Sequence, residues 1–156
     1  MTEYTGRARR AVIAVIGAGD CDEATYRQAD AVGRLLAQAG AIVVTGGLGG
    51  VMEGASKGAK EAGGLVIGVL PGRLADDANR WVDVPIVTGL GEARNAVIAN
   101  TADAFIVVAG GWGTLSEIAF AMPLGKPVVS LGAWSEIEGV RVAATAEDAV
   151  SVALGA

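Results

Sequence analysis

The segment 103–117 carries the clearest chemical signal of the chain, because an apolar run is followed there by clustered glycines, a threonine and a glutamate. The run 104–109 predicts a buried parallel strand. We expect Thr114 to open a helix that carries Glu117 in its first turn. Free amides at a helix start attract anions, and glycines let a ligand approach the backbone closely. The segment therefore predicts a phosphate site with a carboxylate beside it. The glycines of this site are Gly110, Gly111 and Gly113.

A purely structural interpretation of Thr114-Leu-Ser-Glu117 is also open. Thr-x-x-Glu is the pattern of a capping box, in which the two side chains bind each other's backbone amides. Such a cap contributes roughly 1 kcal/mol and needs no ligand. A cap alone does not require the glycines that precede Thr114, and these glycines favour the ligand site.

Two further glycine loops follow the first two predicted strands. Gly17-Ala-Gly19 resembles the start of a dinucleotide fingerprint, but Asp22 stands where the third glycine belongs. The second strand also lacks the terminal acid that would hold an adenosine ribose, which argues against NAD. Gly17 is therefore a candidate ligand contact or simply part of a tight turn.

The loop 46–50 contains four glycines in five positions but no Walker lysine, so it gives no support to ATP hydrolysis of that type. Contact with a ligand and tight packing of helix on strand both use the missing side chain of glycine. Both interpretations stay open here, with ligand contact favoured. The candidates in this loop are Gly46, Gly47 and Gly50.

Arg94 and Asn95 fall at the start of a predicted helix, where a cation is disfavoured by the helix dipole. We expect Arg94 to pair with a phosphate or with Glu117, unless it lies in solvent balanced by Glu92. Trp112 is predicted either to stack on a flat ligand or to fill a gap.

The elements that would position these residues alternate between strand and helix along the chain. Continuous apolar strands in repeated βα units predict an α/β fold: one doubly wound, mainly parallel sheet with helices on both faces, Rossmann-like. Ligands bind such sheets outside the carboxyl ends of the strands, where all the glycine loops fall. We expect residues 1–156 to form a single domain, with 1–10 as a flexible N-terminal tail.

Composition excludes several classes of function. The chain has 156 residues, no histidine, one cysteine and a net charge of −5. Serine–histidine triads and histidine-ligated or clustered-cysteine metal sites are excluded, and no metal is expected. The low positive charge argues against nucleic acid as a partner, and the uncharged runs are too short for a bilayer. The lone Cys21 predicts a reducing, cytoplasmic environment.

With these motifs in view, the chain resembles the Lonely Guy family, often labelled "possible lysine decarboxylases". It is closer still to the branch that includes molybdenum-cofactor carrier proteins. The similarity runs from Ala11 to about Trp134. It is carried by the segments 46–53, Arg94-Asn95 and 110–117.

The resemblance implies a Rossmann-like nucleotide-binding homodimer. Lonely Guy enzymes are phosphoribohydrolases, which release the base and ribose 5-phosphate from a nucleoside 5′-monophosphate of the AMP type. Their essential arginine falls on Arg94 and their essential glutamate on Glu117, while their phosphate loop falls on Gly110, Gly111, Gly113 and Thr114. No cofactor is required by this reaction, and nothing marks a Schiff-base lysine for decarboxylation.

Two departures from the Lonely Guy pattern match the carrier-like branch instead. Ala109 replaces the usual proline, and Asn95 replaces the lysine that follows the essential arginine. The sequence therefore predicts a nucleotide-phosphate-binding protein, with hydrolysis of a ligand such as AMP as the specific hypothesis. The alternative is a carrier that holds molybdenum cofactor, or a related phosphorylated ligand, without changing it.

Overall fold

The computed structural model describes residues 8–155, which contain one seven-stranded sheet and five α-helices. The strands are β1 (Val12–Ile16), β2 (Ile42–Thr45), β3 (Val66–Leu70), β4 (Val84–Val87), β5 (Ala104–Val107), β6 (Val128–Ser130) and β7 (Arg141–Val142). The helices are α1 (Glu23–Gln38), α2 (Val51–Glu61), α3 (Arg94–Thr101), α4 (Trp112–Ala121) and α5 (Ala146–Ala153). Within the described range, no helix combines the length and the apolar character that crossing a membrane requires.

The strands lie in the order β4-β3-β2-β1-β5-β6-β7, and all six neighbouring pairs are parallel. The chain first builds the sheet outward from β1 to β4 and then crosses back to place β5 on the other side of β1. The direction of winding therefore reverses between β1 and β5. Ligands of doubly wound sheets bind at such a switch point. The predicted α/β, doubly wound architecture is confirmed, and the sheet is parallel throughout.

Both faces of the sheet are buried by helices, which explains why its inner strands are apolar throughout. One core cluster combines strand side chains with residues of α1, α2 and α5, among them Val32, Ala55 and Val150. The other combines strand side chains with residues of α3 and α4, among them Ile98 and Ile118. The carboxyl ends of the strands, and the loops that follow them, are left at one edge.

Helix α4 begins two residues earlier than the sequence predicts. Gly111 occupies the N-cap position, Trp112 is the first helical residue, and the Leu115 amide donates to the Gly111 carbonyl at 3.0 Å. Thr114 is therefore inside the helix, and no side chain caps its N-terminus. The capping-box interpretation of Thr114 and Glu117 is wrong. Gly113 does not delay the helix because glycine also adopts helical angles.

Of the expected N-terminal tail, residues 1–7 lie outside the described range, and Arg9 and Arg10 contact the rest of the chain. Arg9 forms a bidentate ion pair with Asp103, in which Nη2 lies 2.8 Å from Oδ1 and Nη1 lies 3.0 Å from Oδ2. Arg10 donates to the carbonyl of Gly40 at 2.8 Å. These contacts tie the chain just before β1 to the amino-terminal side of the sheet.

Candidate functional site

A cavity of about 350 Å³ lies at the carboxyl edge of the sheet, where the loops after β1, β2 and β5 meet. It lies at the switch point between β1 and β5, as expected for a doubly wound fold. The residues that line it come from these loops and from the starts of α2, α3 and α4. They are Gly17, Ala18, Gly19, Leu48, Met52, Glu92, Arg94, Asn95, Gly111, Gly113, Thr114 and Glu117.

Most of the residues predicted from the sequence meet in this cavity. Gly17 comes from the loop after β1, Arg94 and Asn95 from the start of α3, and the remainder from α4 and the loop before it. Residues more than 70 positions apart in sequence are thus brought to one site by the parallel topology. The α4 members are Gly111, Gly113, Thr114 and Glu117.

Four predicted glycines do not line the cavity but shape the loops around it. A Cβ on Gly46 would lie 2.5 Å from Arg94 Nη2 and 2.6 Å from Met52 Sδ, and one on Gly47 would lie 2.7 Å from Leu70 Cδ2. Gly110, at φ +150°, leaves room for the side chain of Thr114, which a Cβ would overlap. Gly50 similarly faces the carbonyl oxygen of Ala18. Close packing therefore accounts for glycine at each of these four positions.

Alanine substitutions at Gly50 and Gly63 compare a constrained glycine with one in open space. Both have a positive φ, +62° and +81°, but Gly50 also has a ψ of −127° and backbone atoms within contact distance of an added Cβ. We expect Gly63→Ala to lower the free energy of unfolding by about 1 kcal/mol and Gly50→Ala by about 3 kcal/mol. Urea denaturation of both variants measures the difference. Equal losses would show that neither the ψ of Gly50 nor its approach to Ala18 is a constraint.

Arg94 is buried, with 8% of its surface exposed. Uncharged carbonyl and amide oxygens accept its hydrogen bonds, and no carboxylate of the described residues does. Its Nε donates to the Val69 carbonyl at 2.9 Å, and Nη2 donates to the Gly46 carbonyl at 3.4 Å. Its Nη1 donates to Asn95 Oδ1. Across residues 8–155, no acid lies within ion-pair distance of this guanidinium. The expectation of a solvated Arg94 balanced by Glu92 is therefore wrong.

Asn95 links the two helices that carry the site. Besides accepting from Arg94, its Nδ2 donates to Ser116 Oγ at 2.9 Å and to the Gly113 carbonyl at 3.4 Å. The side chain is 1% exposed. It thereby fixes the guanidinium of Arg94 relative to the first turns of α4. A lysine at this position could not accept a hydrogen bond from Arg94.

Glu117 lies in the second turn of α4, 7% exposed at the cavity wall. Burial raises the pKa of its carboxyl to about 7, while the positive charge of Arg94 opposes the rise and the negative charge of Glu92 adds to it. Arg94 acts at a distance, because no ion pair joins the two side chains. A carboxyl that titrates near neutrality in a cavity is typical of a functional group.

The N-terminus of α4 has the features of an anion site. No side chain caps this helix, and its first residues follow the glycine turn 110–111 directly. A ten-residue helix directs its first free amides and the positive end of its dipole toward such a position. The cavity therefore combines free amides, a buried cation without a counter-ion and a carboxyl that titrates near pH 7.

Trp112 neither fills a gap nor lines the cavity. It is 81% exposed and lies at a tilt of 45° to Trp134, with 6.0 Å between ring centroids. Trp134, whose φ is +60°, donates from Nε1 to the Gly110 carbonyl at 3.1 Å. This hydrogen bond supports the glycine turn from outside.

Sequence reasoning missed several residues of the cavity wall. Ala18 and Gly19 were visible only as members of a turn, and Leu48 only as the one apolar residue of a glycine loop. Met52 lies in the segment 46–53 that carries the family resemblance, but its residue type gave no chemical signal, because an apolar residue in a helix is usually part of the core. Glu92 was assigned to solvent, although its position two residues before Arg94 could have suggested the cavity.

Comparison of the chain with models of known protein families identifies its family. The model of the SLOG cluster4 family matches residues 10–154. The chain belongs to this family. Among relatives, a protein of Archaeoglobus fulgidus is 53% identical over 139 residues, which are 89% of this chain and 91% of that protein.

Further relatives and solved structures confirm the resemblance to the Lonely Guy superfamily and its carrier-like branch. The cytokinin riboside 5′-monophosphate phosphoribohydrolase of Mycobacterium tuberculosis is 34% identical over 108 residues, 64% of this chain and 58% of that enzyme. The molybdenum cofactor binding protein of Rippkaea orientalis is 36% identical, with a TM-score of 0.88 over 96% of this chain and 98% of that one. The Moco carrier protein of Chlamydomonas reinhardtii is 41% identical, with a TM-score of 0.84 over 94% and 97%.

Proposed function

We propose that this protein binds a phosphorylated small molecule in the cavity between β1 and β5. The phosphate would lie on the amides of the segment 111–114, with the guanidinium of Arg94 nearby. The observation that carries this proposal is the buried Arg94 without a carboxylate partner, because an unpaired buried charge is costly unless an anion compensates it. The uncapped start of α4 supports the same ligand charge.

The specific reaction that we propose is hydrolysis of a nucleoside 5′-monophosphate such as AMP. Water adds to the anomeric carbon of the ribose, the bond to the base nitrogen breaks, and the base leaves with a proton. The products are the free base and ribose 5-phosphate. Ionised Glu117 would hold a ribose hydroxyl and stabilise the oxocarbenium-like transition state, as carboxylates do in glycoside hydrolysis.

Similarity to phosphoribohydrolases supports this reaction, although the chain spans less than two thirds of the length of the Mycobacterium tuberculosis enzyme. Chromatography of the products formed from AMP tests it directly. Equal molar release of adenine and ribose 5-phosphate is the expected result. Intact AMP after prolonged incubation with concentrated protein would contradict hydrolysis without contradicting binding.

A carrier for molybdenum cofactor, or for a related phosphorylated ligand, is the second candidate. Specific support comes from the similarity to carrier structures over nearly the full length of both chains. Asn95 supports it as well, because its hydrogen bonds fill the position where hydrolytic relatives have lysine. A carrier would be stabilised thermally by the cofactor and would return it unchanged. Stabilisation by AMP together with cleavage would favour the hydrolase instead.

We further propose that the protein is a homodimer whose interface includes the outer side of α4. Ile118 and Ala121 face the core, but Phe120 and Leu124 are large apolar side chains that are 44% and 48% exposed. Closed two-fold dimers commonly bury such a patch against its own copy.

A charge on this patch is expected to dissociate the dimer. Phe120→Glu should convert a particle of two chains into one of a single chain at micromolar concentration, measured by light scattering after gel filtration. Leu74→Glu is the matched control, because Leu74 is 64% exposed in the loop after β3, on the other side of β1 in the strand order. A monomeric wild-type protein, or dissociation only by the control, would refute this interface.

A cytoplasmic location is part of the same proposal. Cys21 is a free, partly exposed thiol, and thiols of this kind persist where the surroundings are reducing. A small phosphorylated ligand would be available in the same compartment. Fractionation of cells that produce the protein tests the location.

A further inference from the structure

Trp134 joins the loop after β6 to the glycine turn that precedes α4. Both segments leave the same edge of the sheet, because Val107 of β5 pairs with Ser130 of β6 in a parallel register. Across 24 positions of sequence, Trp134 Nε1 donates to the Gly110 carbonyl at 3.1 Å. Within residues 8–155, this carbonyl accepts no other hydrogen bond. The contact therefore fixes the direction of one peptide group in the turn.

The backbone of Trp134 is strained, which suggests that its position serves a purpose beyond packing. Among residues 8–155, Trp134 is the only residue other than glycine with a positive φ, +60°. Bulky residues rarely adopt this conformation, and those that do are concentrated at functional sites. The buried hydroxyl of Ser130 holds the strained turn in place, since it donates to the Ala133 carbonyl and accepts from the Gly132 amide at 3.0 Å.

The same hydrogen bond orients an amide that faces the cavity. In a trans peptide the carbonyl and the following N–H point in opposite directions, and residues 8–155 contain no cis peptide. Because the Gly110 carbonyl points to the indole, the Gly111 N–H points away from it. Gly111 lines the cavity and Trp134 does not. The Gly111 amide also has no acceptor among the described residues, so it is available to an anion.

Glycine on both sides leaves this peptide free to rotate unless a contact holds it. Neither Gly110 nor Gly111 has a Cβ, and the Cβ is the main steric restriction on φ and ψ at such a bond. A Cβ on Gly111 would meet nothing within 4 Å, so packing around that residue does not fix the peptide. A rotated peptide would turn the Gly110 carbonyl oxygen toward the cavity, where its partial negative charge would repel an anion.

Building on the proposed function, we infer that Trp134 is a positioning residue that holds the Gly111 amide toward the bound phosphate. It acts through the peptide between Gly110 and Gly111 and does not touch the ligand. Its effect is preorganisation, because the amide has the binding orientation before the ligand arrives and no free energy is lost in rotating the peptide. The role concerns the phosphate alone and is independent of the rest of the ligand.

Two replacements at position 134 separate the hydrogen bond from the packing of the ring. Trp134→Phe keeps an aromatic ring and removes the N–H donor. Site-specific incorporation of benzothienylalanine keeps the bicyclic shape of the indole and places sulfur where the N–H was. Trp81→Phe is the matched control, because Trp81 is also half-buried, lies outside the cavity wall and contacts Lys57 and Arg80 through its ring face. Within residues 8–155, Trp134 is the only tryptophan whose indole nitrogen donates a hydrogen bond.

NMR titration of the isotope-labelled full chain with ribose 5-phosphate measures both the affinity and the state of the amide. In the wild-type protein, the Gly111 amide proton should shift downfield as the phosphate accepts its hydrogen bond. Both replacements of Trp134 should reduce this shift and weaken binding by about three- to tenfold, the usual effect of one hydrogen bond. Trp81→Phe should reproduce the affinity and the shift of the wild-type protein.

The outcomes separate this inference from the proposed function. Wild-type affinity in both Trp134 variants, or affinity lost with phenylalanine and restored by benzothienylalanine, would assign Trp134 to packing and overturn the inference while phosphate binding stands. A Gly111 amide that does not respond to ribose 5-phosphate in the wild-type protein, or an equal loss in Trp81→Phe, would overturn it as well. Failure of the wild-type protein to bind ribose 5-phosphate would overturn both. If Trp134→Phe does not fold, the benzothienylalanine variant decides the question, because it keeps the size and shape of the indole.

Discussion

Replacement of Glu117 by glutamine is expected to slow the release of adenine from AMP by about 10²–10³-fold, with little change in the affinity for AMP. Glutamine keeps the size of the side chain and one acceptor oxygen, but it cannot supply negative charge to an oxocarbenium-like transition state. The loss should therefore appear in kcat rather than in the dissociation constant. Product chromatography measures the first quantity and calorimetry the second.

The pH dependence of the same reaction gives an independent check on Glu117. The proposed mechanism uses the ionised form of Glu117, and burial raises the pKa of this carboxyl to about 7. In the wild-type protein, kcat/KM should therefore rise with pH through about 7, whereas the residual activity of Glu117→Gln should lack this step. Glu138 is exposed and does not line the cavity, so Glu138→Gln, with the same loss of charge, should follow the wild-type profile. Equal turnover by wild type and Glu117→Gln would remove Glu117 from the mechanism.

The same substitution is expected to stabilise the protein, and only at neutral to alkaline pH. The pKa of Glu117 is about 7 in the folded chain, against an ordinary value of 4.5 for an unburied glutamate. Burial of the charged carboxylate therefore opposes folding. A shift of this size corresponds to about 3 kcal/mol. Because folding raises the pKa, protonation of Glu117 stabilises the folded chain relative to the unfolded chain. This stabilisation is fully present below pH 4.5 and is lost as the pH rises through about 7. Glutamine, which does not ionise, does not lose it.

Urea denaturation at pH 5 and pH 8 measures this effect as a difference between two differences. We expect Glu117→Gln to gain about 2.5 kcal/mol over the wild-type protein on going from pH 5 to pH 8, which corresponds to roughly 5–10 °C in melting temperature. Other titrating groups cancel because both proteins contain them. A difference between the two proteins that does not vary with pH would show that Glu117 is ionised at no cost.

Together the two expected effects would mark Glu117 as a functional residue that is unfavourable for stability. A buried carboxyl that costs folding free energy is common at catalytic and binding sites. A phosphorylated ligand would supply the missing counter-ion to Arg94 and stabilise the folded chain as it binds.

The sheet and most of its helices were predictable because they depend on patterns that extend over many residues. The apolar run at β5 and the polar–apolar periodicity of α1 admit few alternatives, and parallel strands joined by helices permit few topologies. Arg94 could be identified as a candidate site residue because a cation at a helix start is locally unfavourable, which suggests a role in the site. Its meeting with Gly17 and Glu117 then follows from the topology, since loops after parallel strands share one edge.

What escaped the sequence is decided by contacts between distant segments. The pattern Thr114-Leu-Ser-Glu117 fits a capping box locally, but the turn at Gly110 lets the helix begin at Trp112. The glycines at 46, 47 and 50 match a ligand loop, yet their missing side chains accommodate Met52, Leu70 and the Ala18 carbonyl. Local sequence does not contain these neighbours, so ligand contact and close packing look the same.

The position of a bound phosphate tests the central claim most directly. In a crystal structure of the protein soaked with AMP, the account predicts the 5′-phosphate within about 2.7–3.2 Å of backbone amides in the segment 111–114, with Arg94 close by and Glu117 facing the ribose. A phosphate bound outside the cavity between β1 and β5, with the start of α4 covered by protein, would contradict it.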